Sequence, residues 1–146
     1  MINNPITQLE QLTITSAAKS FLKETAKWAK FLSIMGFILI GLMLVFAIFS
    51  TTIFELAAQM QPNIPKGLGA TMTATYLVLS VVYFFPVYYL LQFSMKMKKA
   101  LATKSDETLT KSFEMLKSHY KFIGVFTIIT LSLYALLFVA AAFGAL

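Results

Sequence analysis

Three long stretches of the chain carry no charge at all: 31–54, 67–95 and 122–146, which are 24, 29 and 25 residues long. About 20 apolar residues in a helix span the ~30 Å hydrocarbon core of a bilayer. Each stretch is long enough to cross. In lipid every backbone polar group must be satisfied within the segment, so the spans have to be helices. The fold class that follows is an all-α integral membrane protein with three transmembrane helices. The hydrophobic share is 58% over 146 residues, more apolar surface than a soluble domain of this size can hide. The remaining polar residues are too few for a separate globular domain, so the chain reads as one membrane domain.

The polar residues divide the chain further. Residues 1–15 form a polar lead without periodicity. Residues 16–30 read as an amphipathic helix, with Thr15 or Ser16 as its cap. Lys19, Lys23, Lys27 and Lys30 lie on one stripe, and Phe21, Thr25, Trp28 and Leu32 on the opposite side. A helix lying in the membrane interface shows this pattern. No Gly or Pro interrupts the chain between Ser16 and Met35, so a straight extension of the first span is the other reading. The first 30 residues lack the short apolar core and cleavage site of a secretory signal, so the first span is expected to remain as an anchor.

The first span covers 31–54, and the connection to residue 66 contains Pro62 and Pro65. The second span covers 68–95. Pro86 inside it removes a backbone donor and crowds the Val82 carbonyl, which predicts a kink. Ser105 followed by Asp106 and Glu107 is a helix start, with acids against the positive end of the dipole. Leu109, Phe113, Leu116, Tyr120 and Ile123 then repeat at four and three, a seam leading into a third span over 122–146. Spans two and three are thus expected to form a long helical hairpin, with 96–121 as a tip extending into the cytoplasm.

Lysine counts orient the spans. Four lie in residues 1–30, seven in 96–121, one in the first connection and none after the third span. Positive loops stay cytoplasmic. The expectation is a multi-pass protein of the bacterial inner membrane, N-terminus cytoplasmic and C-terminus outside. Small residues gather at the outer level of all three spans: Ser50 to Thr52, Gly67 to Thr75 and Ala140 to Ala145. They predict close helix contact there.

Reactive groups are few. The chain has no cysteine, one histidine and no arginine. Without arginine the forked recognition of phosphates and bases is missing, so nucleic acid is not an expected partner. A lone His119, five residues from Glu114, does not make a metal site. No carboxylate lies within a span, which argues against proton-coupled transport. No metal, cofactor or catalytic set is expected, and the chain reads as non-enzymatic. The candidate contact residues are Lys19, Lys23, Lys27 and Trp28 for lipid. For a partner they are Tyr83, Tyr88, Leu109, Phe113, Leu116 and Tyr120.

Three stretches, Thr25–Gly36, Tyr83–Phe93 and Ser112–Gly124, carry aromatic and lysine patterns. By them the chain resembles a small bacterial family of three-span membrane proteins described only as a domain of unknown function. The resemblance implies three spans with an amphipathic lead, and brings no activity, cofactor or catalytic residue. The function expected is an accessory or assembly subunit of a larger membrane complex, in contact with lipids and another membrane protein, with self-association as a variant. The alternative is a homo-oligomeric pore or small-solute channel lined by Thr71, Thr73, Thr75, Thr127, Thr130 and Ser132.

Overall fold

A computed structural model of the protein describes residues 14–61, 63–65 and 67–144. The polar lead up to residue 13, Pro62, Lys66 and the last two residues lie outside the described residues. Three helices follow one another: α1 (Ser16–Met60), α2 (Leu68–Thr103) and α3 (Asp106–Ala142). Each is long and apolar enough to cross a membrane. Among the described residues there is no strand.

The amphipathic segment 16–30 and the first span are one helix of 45 residues, about 68 Å long. Thr15 caps it, its hydroxyl accepting the Ala18 N–H at 3.2 Å. Its inward face repeats at four and three from end to end: Leu22, Ala26, Ala29, Ser33, Gly36, Ile40, Met43, Ala47, Ser50, Phe54 are all at least half-buried. The packed face is therefore the small-residue stripe. Phe21, Trp28 and Leu32, expected to form the apolar side, stand exposed beside it.

Pro86 is buried within an unbroken α2. The turn to α3 is two residues, Lys104 and Ser105. Lys104 ends α2 in the left-handed conformation (φ 53°), with its N–H on the Ala100 carbonyl. Ser105 caps α3 as expected, accepting the Thr108 N–H at 3.2 Å, with Asp106 and Glu107 in the first turn.

α2 is the middle element and packs on both neighbours. α1 and α3 do not approach each other closely along their backbones among the described residues. The α1–α2 contact at the far end from the lysines uses the small residues. Gly69 lies so close to Thr51 that an added Cβ would sit 2.7 Å from the Thr51 Cα. Thr73 donates to the Ala47 carbonyl at 3.0 Å and meets the Ser50 and Thr51 hydroxyls at 2.6 and 3.0 Å. α3 does not join this contact. Beyond Thr130 its side chains to Val139 are exposed on every side, and its most apolar stretch has no buried residue. Small residues thus tighten α1 on α2, and the expected three-helix contact at Ala140 to Ala142 is not made.

The core sits instead at the lysine-bearing end. Phe93 (1% exposed) and Met97 (0%) are the largest fully buried side chains, enclosed with Ala26 and Ala29. Leu22, Leu90, Leu101, Leu109, Met115 and Leu116 pack around them. The core straddles the end of the second uncharged run: Leu90 and Phe93 lie inside it, Met97 and Leu101 past it.

Candidate functional site

The lysine-bearing end brings together most of the residues singled out from the sequence. Its frame is three interhelical polar contacts. Ser94 in α2 donates to the Ala26 carbonyl of α1 at 2.6 Å. His119 in α3 lies with Nδ1 2.7 Å from the Pro86 carbonyl. A carbonyl only accepts, so Nδ1 donates in this contact. Ser112 faces Met97 at 4.0 Å while donating to its own Leu109 carbonyl at 2.6 Å. None of these contacts was expected. A signal existed for two of them: Ser94 and Ser112 fall at four-and-three spacing with Met97, Leu101, Met115 and His119.

The α3 seam is rotated relative to the sequence reading. Leu109 and Leu116, candidates for a partner contact, pack on the chain's own Phe93–Met97 core. Phe113 (43% exposed) and Tyr120 (66%) do not. The inner positions are Ser112, Met115, His119, Phe122 and Phe126. The reason is the Pro86 carbonyl. It holds His119 inward, and the aromatic rows Phe85–Phe122 (6.0 Å between ring centres) and Tyr83–Phe126 (6.3 Å) continue that face. Tyr120 rests edge-on against His119 at 5.5 Å and turns its other side outward.

The span-two aromatics are partly committed within the chain. Tyr83 leans on Phe126, and Phe84 meets Phe37 of α1 at 5.8 Å. Tyr88 stacks on Phe84 at 6.0 Å. Tyr83 and Tyr88 each keep close to half their surface open.

Two grooves flank α2 here. The first runs between α1 and α3, with Phe93, Leu90 and Ala29 as floor and Phe21, Trp28, Leu32 and Tyr120 on its walls. Phe21 is 68% exposed and Trp28 58%. The second lies between α1 and the end of α2, where Lys23, Lys27 and Lys98 converge over Leu101. Lys19 is exposed on α1 outside both. Among the described residues the one ion pair is Lys111–Glu107 on α3, 2.6 Å and one helical turn apart. It holds the Glu107 carboxyl below its ordinary range, first by the hydrogen bond and then by the lysine charge. The same contact raises the Lys111 amine. No family model, curated protein or solved structure matches the chain.

Proposed function

We propose that the protein is a non-enzymatic accessory or assembly subunit of a membrane complex, and that its partner docks in the groove between α1 and α3. The observation that carries this reading is the exposed aromatic wall of that groove. Phe21, Trp28, Leu32 and Tyr120 flank an apolar floor at the lysine-bearing end of the molecule. α1, α2 and α3 supply three sides of a four-helix arrangement, and the open side takes one amphipathic helix. The occupant is a helix of another membrane protein with apolar residues at four-and-three spacing. Burial of exposed aromatic side chains at a protein contact is the usual source of binding energy.

In this reading the lysine-bearing end is cytoplasmic, in a bacterial inner membrane, and the α1–α2 connection lies outside. The support is the lysine asymmetry. A homo-oligomeric pore has weaker support. Thr71, Thr75 and Thr130 bond to carbonyls of their own helix, and Thr73 to α1, so these hydroxyls are engaged without a water path.

Mass measurement of the native particle after gentle extraction tests the proposal. The expected result is a heteromeric particle that Tyr120→Glu dissociates. A ring of identical chains would favour the pore, and a strictly monomeric particle in every mild detergent and in nanodiscs would end the subunit reading.

A further inference from the structure

We infer that the groove between α1 and the end of α2 is a binding site for the headgroup of an anionic phospholipid. This inference does not rest on the docking reading, although Glu24 and Trp28 line both grooves. The site is built by two helices whose relative level is fixed. The Ser94–Ala26 hydrogen bond sets Lys98, one turn further along α2, beside Leu22, one turn back along antiparallel α1. Lys23 lies at that level on α1 and Lys27 one turn nearer the hydrocarbon. Three ammonium groups from two helices thus line one groove of about 800 Å³.

Its position relative to a bilayer comes from the uncharged runs. The α1 run stops at Lys30 and the α2 run at Lys96. The groove begins within one turn of both and extends away from the hydrocarbon, into the layer that headgroups occupy. Trp28 marks its membrane-facing end, with its ring edge-on to Phe31 at 5.9 Å. An exposed tryptophan at this depth is an interfacial anchor. Trp28, at the membrane-facing end, offers an apolar surface to the glycerol and first methylenes of a lipid, and Leu101 closes the far end. Glu24 also lines the groove, so three lysines oppose one carboxylate and the site stays positive. Among the described residues, none of Lys23, Lys27 and Lys98 has a carboxylate within ion-pair distance. A phosphate supplies the missing counter-charge. A bilayer holds phosphodiesters at this level at far higher local concentration than the solution holds free anions, which commits the site to lipid.

Trp28 is the only tryptophan in the chain and stands in the site, so its fluorescence is the probe. The intact protein is reconstituted in phosphatidylcholine vesicles containing small fractions of brominated phosphatidylglycerol or brominated phosphatidylcholine, at constant ionic strength. The expected result is that brominated phosphatidylglycerol quenches Trp28 at a several-fold lower mole fraction. Lys27→Gln with Lys98→Gln removes that preference, at roughly five-fold per lysine. Lys111→Gln with Lys117→Gln removes the same charge elsewhere and preserves it. Equal quenching by the two lipids, or equal loss in both variant pairs, would overturn the site. Suppression of the preference by millimolar inorganic phosphate would assign the groove to a free anion and overturn the lipid. All four lysines are exposed, and unchanged helical circular dichroism confirms that each variant is folded.

Discussion

A serine buried at a helix contact needs an acceptor, and Ser94 takes the Ala26 carbonyl of the neighbouring helix. The bond is short and fully enclosed, yet its net worth is modest because that carbonyl also has its own helix to bond. Ser94→Ala should cost about 0.5–1.5 kcal/mol in reversible unfolding from mixed micelles. Ser94→Leu should cost more, about 1–3 kcal/mol, since no space is open beside Ala26. Equal effects of the two would mean that the helices part easily at this level. Gly69 makes the sharper demand. A methyl there meets the Thr51 backbone rather than a movable side chain, so Gly69→Ala should push α2 off α1 and break the Thr73 bonds. An unchanged distance between spin labels on α1 and α2 in that variant would contradict the contact. Neither residue stood out in the sequence by chemistry. Both occupy small positions at four-and-three spacing, and the spacing was legible where the role was not.

At the scale of elements, the hairpin and its α3 seam separate what periodicity can say from what it cannot. The start of α3 at Ser105 and the length of the helix were readable, because capping residues and acids in the first turn act locally. The packed face was not readable, because two stripes of α3 are apolar: Leu109–Phe113–Leu116–Tyr120 and Met115–Phe122–Phe126. The choice between them is made by a contact distant in sequence, His119 on the Pro86 carbonyl. Met97→Ala removes a fully buried side chain and should cost about 2–5 kcal/mol. Phe113→Ala should cost well under the ~3 kcal/mol of a buried phenylalanine, since 43% of the residue is exposed. Comparable losses in the two would restore the seam read from the sequence. The tip also has a pH signature. The Glu107 carboxyl is depressed by Lys111, so its contribution is present above the ordinary carboxylate range and lost as pH falls through the lowered value. Lys111 is raised, so its contribution is present below the ordinary lysine range and lost as pH rises through the raised value. Carbon NMR of the Glu107 side chain should show the low titration, and Lys111→Gln should return it to normal. Superimposable curves would mean that solvent screens the pair.

Across the whole molecule, the uncharged runs announced three membrane-length helices, and three are present. Of the two readings left open for residues 16–30, the helix continuous with the first span is the one present, since no residue there stops a helix. The location of the core was hidden. Composition marks apolar residues without saying which of them meet across helices, and the Phe93–Met97 core straddles the end of an uncharged run. The proposed orientation has a direct test. The native chain has no cysteine, so Gln61→Cys and Lys104→Cys give clean single labels. Membrane-impermeant reagent should reach Gln61→Cys from outside and Lys104→Cys from the cytoplasm, and the reverse pattern would invert the orientation.

The small-residue stripe of α1 also sets what the molecule cannot do. Its spacing repeats every seven residues, so a slip of two turns along α2 would keep the stripe facing its neighbour. The sizes along it do not repeat. Gly36 admits Val87 so closely that an added Cβ would stand 2.7 Å from its Cγ2, and a seven-residue slip presents Met43 or Ala29 there. The same slip carries Thr51 away from Gly69. The order of sizes therefore acts as a key cut for one position of the lock. A two-turn slip of α1 along α2 is thereby barred, whereas α3 carries only exposed side chains from Leu131 to Val139.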